Sequence, residues 1–369
     1  MTDFSLSRSR LSKLRERMDA TATDLVVLGP SSHMSWLSGV HPHGDERPVM
    51  LLVTRDHAAF LMPALNAAAA RKSTDLPFHT WRDDEGPEAA LADLLTACDA
   101  RRPGLSVVLD ETMRTDFALL LLDALDRPER RFTTDTVGLL RARKDAAEYD
   151  ALKAAHLLND TAVQAAFDAL HEGITEQEVA QIINDTYKAN GATLEFCSVC
   201  FGPSAAFPHH TSTPARLERD MPVLIDTGCR LNGYPSDMTR CGYFGTPDQD
   251  YCEVFAVVEK AVQAALNAAR PGVAARDVDK AARDVITAAG YGERFLHRTG
   301  HGLGVDIHEP PYIASNSGAI LEEGNVFSIE PGIYLDGRFG VRLEEIVILR
   351  ADGPEIFSEM SREMVIAGR

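Results

Sequence analysis

Four carboxylates in the second half of this 369-residue chain stand inside or beside runs that otherwise read as buried strands, and few features restrict a fold more. "VLIDTG" places Asp226 after an apolar run and before a glycine, and "YPSDMTR" places Asp237 eleven residues later, just after a turn signal. "NVFSIEPGIY" carries Glu330 after Val326 to Ile329, and "FGVRLEEIVIL" carries Glu344 and Glu345 in what reads as the final strand. An acid in an apolar strand is costly to bury unless it is paired or bound to a cation. Taken singly, an Asp before Gly or a Glu before Pro-Gly is ordinary turn chemistry. Taken together, they ask for a fold that brings several strands to one place. Eleven residues suffice for a strand end, the turn "RLNG" and a return strand, so adjacent antiparallel strands can aim Asp226 and Asp237 at one point.

"RTGHGLGVDIHEPP" sets His301 and His308 seven residues apart on a stretch too glycine-rich for a good helix. A surface loop that happens to carry histidines is the plain alternative. With Asp226, Asp237, Glu330 and Glu344, however, His301 completes a five-ligand set for two divalent cations. The glycines would let a loop backbone approach such a site closely.

A chain of this length is expected to form two domains. Residues 1–140 alternate strand-like runs (24–29, 48–54, 105–110) with amphipathic helical ones (11–18, 89–100, 117–125), the texture of a small α/β layer domain. A long Ala-rich amphipathic pattern follows over 139–170. Thr175 and Glu178 then form a capping box, and Gly191 supplies a helix stop. Two further helices are expected at about 248–269 and 274–289, with strands dominating the end of the chain. The net charge of −18 argues against nucleic acid and anionic membrane as partners, because both need clustered Lys and Arg. No run approaches the roughly 18 apolar residues of a membrane span. The six scattered cysteines do not make a disulfide framework, so the expected compartment is the cytoplasm. Cys197 and Cys200 form a CxxC without a second ligand pair and read as small hydrophobes in a strand.

From about residue 140 to 350 the chain resembles the metallopeptidases of the pita-bread fold, family M24, which include methionine aminopeptidase, aminopeptidase P and prolidase. All five ligand positions match. The resemblance implies that Asp237 and Glu344 bridge two ions, that Asp226 serves one, and that His301 with Glu330 serves the other. In "RLEE" the family pattern takes the first acid, so Glu344 ligates and Glu345 does not. Three histidines match the proline-specific branch: His209, seventeen residues before Asp226; His297, four before His301; and His308. By the same match, His308 donates to the carbonyl oxygen of the bond being cut, and Glu330 shuttles a proton from water to the leaving nitrogen. His209 orients the substrate, His297 lines the pocket beyond the cut, and Arg342 orients a ligating carboxylate. His297, Arg342 and Tyr312 are the substrate-binding candidates. The front domain is similar to that of creatinase, prolidase and aminopeptidase P.

The fold expected is α+β, with a pita-bread catalytic domain at 141–369 behind a smaller α/β domain at 1–140. The activity implied is hydrolysis of the Xaa-Pro imide bond by an Xaa-Pro dipeptidase, with an Xaa-Pro aminopeptidase for longer peptides as the alternative. A creatinase-like enzyme or a binding protein on this scaffold would lose ligands that this chain keeps, whereas motifs do not separate an ectoine-hydrolase-like enzyme. Carboxylate-rich ligation suits two Mn²⁺ ions per subunit and also accepts Co²⁺ or Zn²⁺. The implied partners are an Xaa-Pro dipeptide or short proline-containing peptide and, by resemblance, a second copy in a homodimer. Many prolidases place an arginine shortly after the position of His308, where it can hold a dipeptide's free carboxylate. Here Tyr312 stands at that place, and no Arg or Lys occurs between His308 and Glu330. Arg298, Arg338 and His210 are the other candidates, and spacing does not choose among them. Trp36 and His43 are candidates for a lid over a neighbouring subunit's site, with an ordinary structural role as the alternative.

Overall fold

The computed structural model describes residues 4–368, which divide into two compact units, the first ending at Arg141 and the second beginning at Ala142. In the first unit six strands form one mixed sheet in the order Phe78–Trp81, Ala58–Pro63, Met50–Val53, Leu25–Leu28, Ser106–Leu109, Glu129–Phe132. The central runs LVVL and MLLV are continuously apolar because they are buried at every position. Helices Ser5–Ala20, Glu88–Ala97 and Thr115–Asp123 fall where apolar periodicity puts them. The sequence reading lacks Ala58–Pro63 and both edge strands. One edge, "ERRF", is largely exposed and charged, a composition that hides a strand from hydropathy and discourages pairing with other chains. Trp36 is buried in this unit with the Arg10 guanidinium 4.3 Å above its ring, which is a packing contact.

The Ala-rich pattern over 139–170 divides into two helices, Val137–Ala142 and Ala146–Asp168. The break is chemical. The Asp145 side chain accepts from the Glu148 backbone N–H (2.9 Å) while the Glu148 side chain accepts from the Asp145 N–H (3.1 Å), a complete capping box that starts a new helix. Thr175 and Glu178 form a second such box ahead of the helix Glu176–Ala189. That helix stops before Gly191, whose φ of +76° only glycine adopts easily.

The second unit is built on two antiparallel-rich sheets. One runs Val365–Ala367, Met238–Phe244, Met221–Leu231, Thr193–Phe201, with Tyr234–Pro235 pairing alongside. The other runs Glu309–Ile313, Gly300–Gly302, Val326–Ile329, Glu345–Arg350, Gly353–Ile356, and a separate hairpin joins Gly332–Leu335 to Phe339–Arg342. The first sheet is buried on both faces. Val223 and Ile225 pack with Val163, Val179 and Ile183 of helices Ala146–Asp168 and Glu176–Ala189. Leu224, on the opposite face, packs with Tyr251, Val258 and Val278 of helices Gln249–Ala268 and Ala275–Ala288. Asp226 lies two residues beyond Leu224, so strand alternation turns it toward the side where the second sheet and the hairpin lie.

Arg240 ties the end of the chain to this frame. Its buried guanidinium donates to the Glu345 carboxylate (3.0 Å) and to the carbonyls of Met360 (2.9 Å) and Ser361 (3.1 Å), as well as to the Glu344 carbonyl (2.5 Å). Truncation would leave a buried carboxylate short of a counter-charge and several carbonyls without donors. Arg240→Ala is therefore expected to destabilise the second unit by about 3–5 kcal/mol, read as a lower urea midpoint. An unchanged midpoint would remove this clasp from the account of the fold.

Candidate metal centre and substrate cavity

The four acids and one histidine singled out in the sequence arrive from five places in the second unit. Asp226 sits within the strand Met221–Leu231 and not at its end, and its register partner is Thr239. Asp237 lies between Tyr234–Pro235 and Met238–Phe244, just past the turn at Asn232-Gly233. His301 is the middle residue of the short strand Gly300–Gly302, so the expected loop is in fact a strand. A Cβ at Gly300 would stand 1.9 Å from the Ser328 carbonyl oxygen, so the flanking glycine serves close strand packing. Glu330 follows Val326–Ile329, and Glu344 occupies the gap between Phe339–Arg342 and Glu345–Arg350. Two strands follow Glu345–Arg350, so it is not the last.

All five line one cavity of about 640 Å³, together with His209, His297, His308 and Arg342. Asp237, His301 and Glu344 offer ligand atoms within 4.8 Å of one another. His301 Nε2 lies 3.5 Å from an Asp237 oxygen and 3.3 Å from a Glu330 oxygen. Its Nδ1 faces the Gly302 carbonyl (3.1 Å), which fixes the tautomer that leaves Nε2 free to ligate. Burial pushes the His301 pKa down to about 3, so the imidazole is neutral, as a ligand must be.

The acids are strained in the opposite sense. Burial first, and neighbouring carboxylates second, push Asp237 and Glu344 well above the ordinary carboxylate range. Burial raises Glu330 as well. Glu344 receives one hydrogen bond from Thr239 Oγ1 (2.8 Å), while its other oxygen is buried without any hydrogen-bond partner. An unsatisfied buried carboxylate oxygen beside other carboxylates and a free imidazole nitrogen fits a divalent cation. Asp226 is held differently, with Arg342 donating to it at 2.5 Å.

Arg342 is the hub of a network that spacing alone did not reveal. It also donates to Tyr334 Oη (2.8 Å) and to Thr239 Oγ1 (3.0 Å), and Tyr334 in turn donates to His297 Nε2 (2.7 Å). Burial and the Arg342 charge push His297 down to about 4, consistent with a neutral acceptor. Asp237 is steadied through its backbone, whose N–H points to His156 Nε2 at 3.4 Å. His156 is buried on the helix Ala146–Asp168, stacks on Phe357 and donates from Nδ1 to the Leu152 carbonyl (2.7 Å). Tyr334, Thr239 and His156 were missed because a lone polar residue in an apolar segment carries no signature of its partner.

The segment bearing His209 is fixed by Glu176. This buried carboxylate accepts from Phe201 N (2.9 Å), Ser204 Oγ (2.6 Å), His210 Nε2 (2.9 Å), and the N–H and hydroxyl of Thr213 (both 2.8 Å). Burial opposes its charge, but these hydrogen bonds outweigh that and hold its pKa below the ordinary value. His308 meets His301 edge to face, with ring centroids 4.2 Å apart. Tyr312 is not brought to the cavity wall: it is 38% exposed on the strand Glu309–Ile313. Glu345, next to Glu344, turns away to Arg240 and Arg362.

Two other sequence features have structural explanations. Cys197 and Cys200 lie in the strand Thr193–Phe201 as free thiols that burial pushes up to about 11 and about 12, too high for redox chemistry at neutral pH. In the first unit His33, Asp110 and Glu111 also cluster. There, Asp110 already accepts from Gly29 N, Ser31 Oγ and Thr112, and Arg141 faces His33 Nδ1 (3.0 Å), so the group is a hydrogen-bonded knot.

Thr239 donates to Glu344 and accepts from Arg342, so Thr239→Val should disorient both. Divalent metal affinity is expected to fall about 10–100-fold, measured by calorimetric titration of the metal-free protein. An unaltered affinity would show that Thr239 is a bystander.

Comparison with known proteins places the chain in a family. Residues 150–351 match the model of metallopeptidase family M24, and residues 10–142 match the creatinase/prolidase N-terminal domain. The chain is 33% identical to an Xaa-Pro dipeptidase of Lactobacillus helveticus, over 96% of this chain and 98% of that protein. Among solved structures it is similar to the dipeptidase PepE of Mycobacterium ulcerans, with a TM-score of 0.93, 32% identity and 99% of each chain covered. It is also similar to a dipeptidase of Pyrococcus horikoshii, with a TM-score of 0.89, 31% identity and coverage of 97% and 99%. With one domain match spanning more than half its length and such relatives along nearly all of it, the chain belongs to metallopeptidase family M24.

Proposed function

We propose that this protein is a metal-dependent Xaa-Pro dipeptidase, a prolidase, whose residues 141–369 carry the catalysis and whose residues 1–140 form an accessory domain. The observation that carries the proposal is the buried Glu344 oxygen without a partner, set in one cavity with Asp226, Asp237, His301 and Glu330. The relatives that bear dipeptidase names support the substrate class. Asp226, Asp237, His301, Glu330 and Glu344 would hold two divalent ions per subunit, and the oxygen-rich donor set favours Mn²⁺, with Co²⁺ or Zn²⁺ as substitutes. Such ions supply Lewis acidity toward the scissile carbonyl and lower the pKa of attacking water. Six free thiols suit a reducing cytoplasm, and the assembly we propose is the homodimer that the family resemblance implies.

The remaining work belongs to the side chains. His209, on its anchored segment, positions the substrate, and the imidazole of His297 forms part of the cavity wall. The Xaa-Pro bond is a tertiary amide, so its nitrogen has no hydrogen and must be protonated as the carbon–nitrogen bond breaks. Glu330, whose carboxylate burial makes a stronger base, accepts the proton of the attacking water and then delivers it to the proline nitrogen. His308, exposed at the cavity beside His301, offers an N–H to the carbonyl oxygen as negative charge develops there. A donor of this kind is worth about 2.7–4 kcal/mol. Arg342 keeps Asp226 and, through Thr239, Glu344 in position.

Purified protein is expected to hydrolyse Ala-Pro and Leu-Pro with added Mn²⁺ or Co²⁺ and to stop in chelator; full turnover after exhaustive metal removal would reject the proposal. Asp237→Asn should lose bound metal and activity together, seen by elemental analysis beside a proline-release assay. His308→Ala should keep its metal while kcat falls about 10²–10³-fold, and an undiminished kcat would take His308 out of the reaction.

A further inference from the structure

Two arginines line the cavity, and they are placed very differently. Arg342 directs its guanidinium to Asp226, Tyr334 and Thr239. Arg298 makes no side-chain hydrogen bond and no ion pair among the described residues. Its guanidinium carbon lies over the Tyr312 ring, 4.5 Å from the centroid. A guanidinium over an aromatic face is attracted to that face, yet its N–H groups stay available for a two-pronged contact with a carboxylate. It lines the same cavity as His308 and Glu330, the groups proposed to act on the scissile bond.

The other cations that could receive a substrate carboxylate are engaged elsewhere. His210 is bonded to Glu176 (2.9 Å), and Arg338 pairs with Asp250 (2.8 Å) in an exposed turn; neither lines the cavity. The segment between His308 and Glu330 contains no Arg or Lys at all. In an Xaa-Pro dipeptide the proline carboxylate is the one charged group on the leaving side of the cut.

Resting on the proposed function, we propose that Arg298, braced by Tyr312, binds the free carboxylate of the dipeptide and so makes this enzyme a dipeptidase. Tyr312 thus acts from behind the arginine, outside the cavity wall, as a positioning residue. The arginine enters the site three residues before His301 and does not come from the strand that follows His308.

The test compares Ala-Pro, Ala-Pro amide and Ala-Pro-Ala in the Mn²⁺-loaded full-length wild type and in Arg298→Ala, Arg298→Gln, Arg298→Lys and Tyr312→Ala, with metal content and circular dichroism recorded for each. The wild type is expected to prefer the acid over the amide. Arg298→Ala and Arg298→Gln should raise KM for Ala-Pro about 10–150-fold, and the acid-over-amide ratio of kcat/KM should collapse toward one. Arg298→Lys should recover part of that ratio, and Tyr312→Ala should lower it by a smaller factor. Folded, metal-loaded Arg298 variants that keep the wild-type ratio would overturn the assignment, as would a wild type that cleaves Ala-Pro-Ala as well as Ala-Pro. A wild type inactive on every substrate would instead reject the function on which the assignment rests.

Discussion

The second unit is organised around the difficulty of holding carboxylates together where little water reaches them. Two like charges about 4 Å apart repel by roughly 4 kcal/mol at the effective dielectric of a partly buried site. One hydrogen bond to a charged group returns only about 1.5–3 kcal/mol. The Thr239 bond to Glu344 and the Ser328 bond to Glu330 therefore cannot sustain Asp237, Glu330 and Glu344 as three anions around His301. Either protons or cations must enter. The raised affinity of Asp237 and Glu344 for protons is the signature of the first case, and the neutral His301 nitrogen and the unpartnered Glu344 oxygen suit the second. The strands, the hairpin and the glycine-flanked position of His301 make geometric sense as a frame that brings these groups into apposition.

That frame is stiffened by polar groups that bond to the candidate ligands. Arg342 couples Asp226 to the hairpin through Tyr334 and to the neighbouring strand through Thr239. His156 reaches from a helix to the backbone of Asp237. Ser328 receives the His301 N–H and passes its own hydrogen to Glu330. Each link joins residues distant along the chain, so a shift in one sheet is felt at ligands carried by another.

How far the site was legible in the sequence depended on the kind of signal each residue leaves. Asp226, Asp237, Glu330 and Glu344 stand out because a carboxylate interrupts an apolar strand pattern, and His301 stands out through its glycines. The long helices of the second unit follow from periodicity and from capping residues such as Thr175 with Glu178. Asp145 with Glu148 is the same signal, hidden inside an Ala-rich stretch that hydropathy alone reads as continuous. The exposed edge strand Glu129–Phe132 lacks the apolar run that would mark it. Thr239, Tyr334 and His156 matter through partners far off in sequence, and only the fold reveals those. Tyr312 is a substrate-binding candidate by the family resemblance alone, which does not convey which way a strand presents a side chain.

The Glu176 anchor has a consequence for how the enzyme meets its substrate. Five hydrogen bonds converge on this one carboxylate, from Phe201, Ser204, His210 and Thr213, and they bracket the stretch that carries His209. A loop tied down in this way has little conformational freedom left to lose when a peptide arrives, so recognition on that side carries a small entropic penalty. The same rigidity narrows the range of shapes the wall can accommodate. Within that bracket the Phe207 side chain is exposed, so variation there changes the surface of the stretch while the anchor itself resists change.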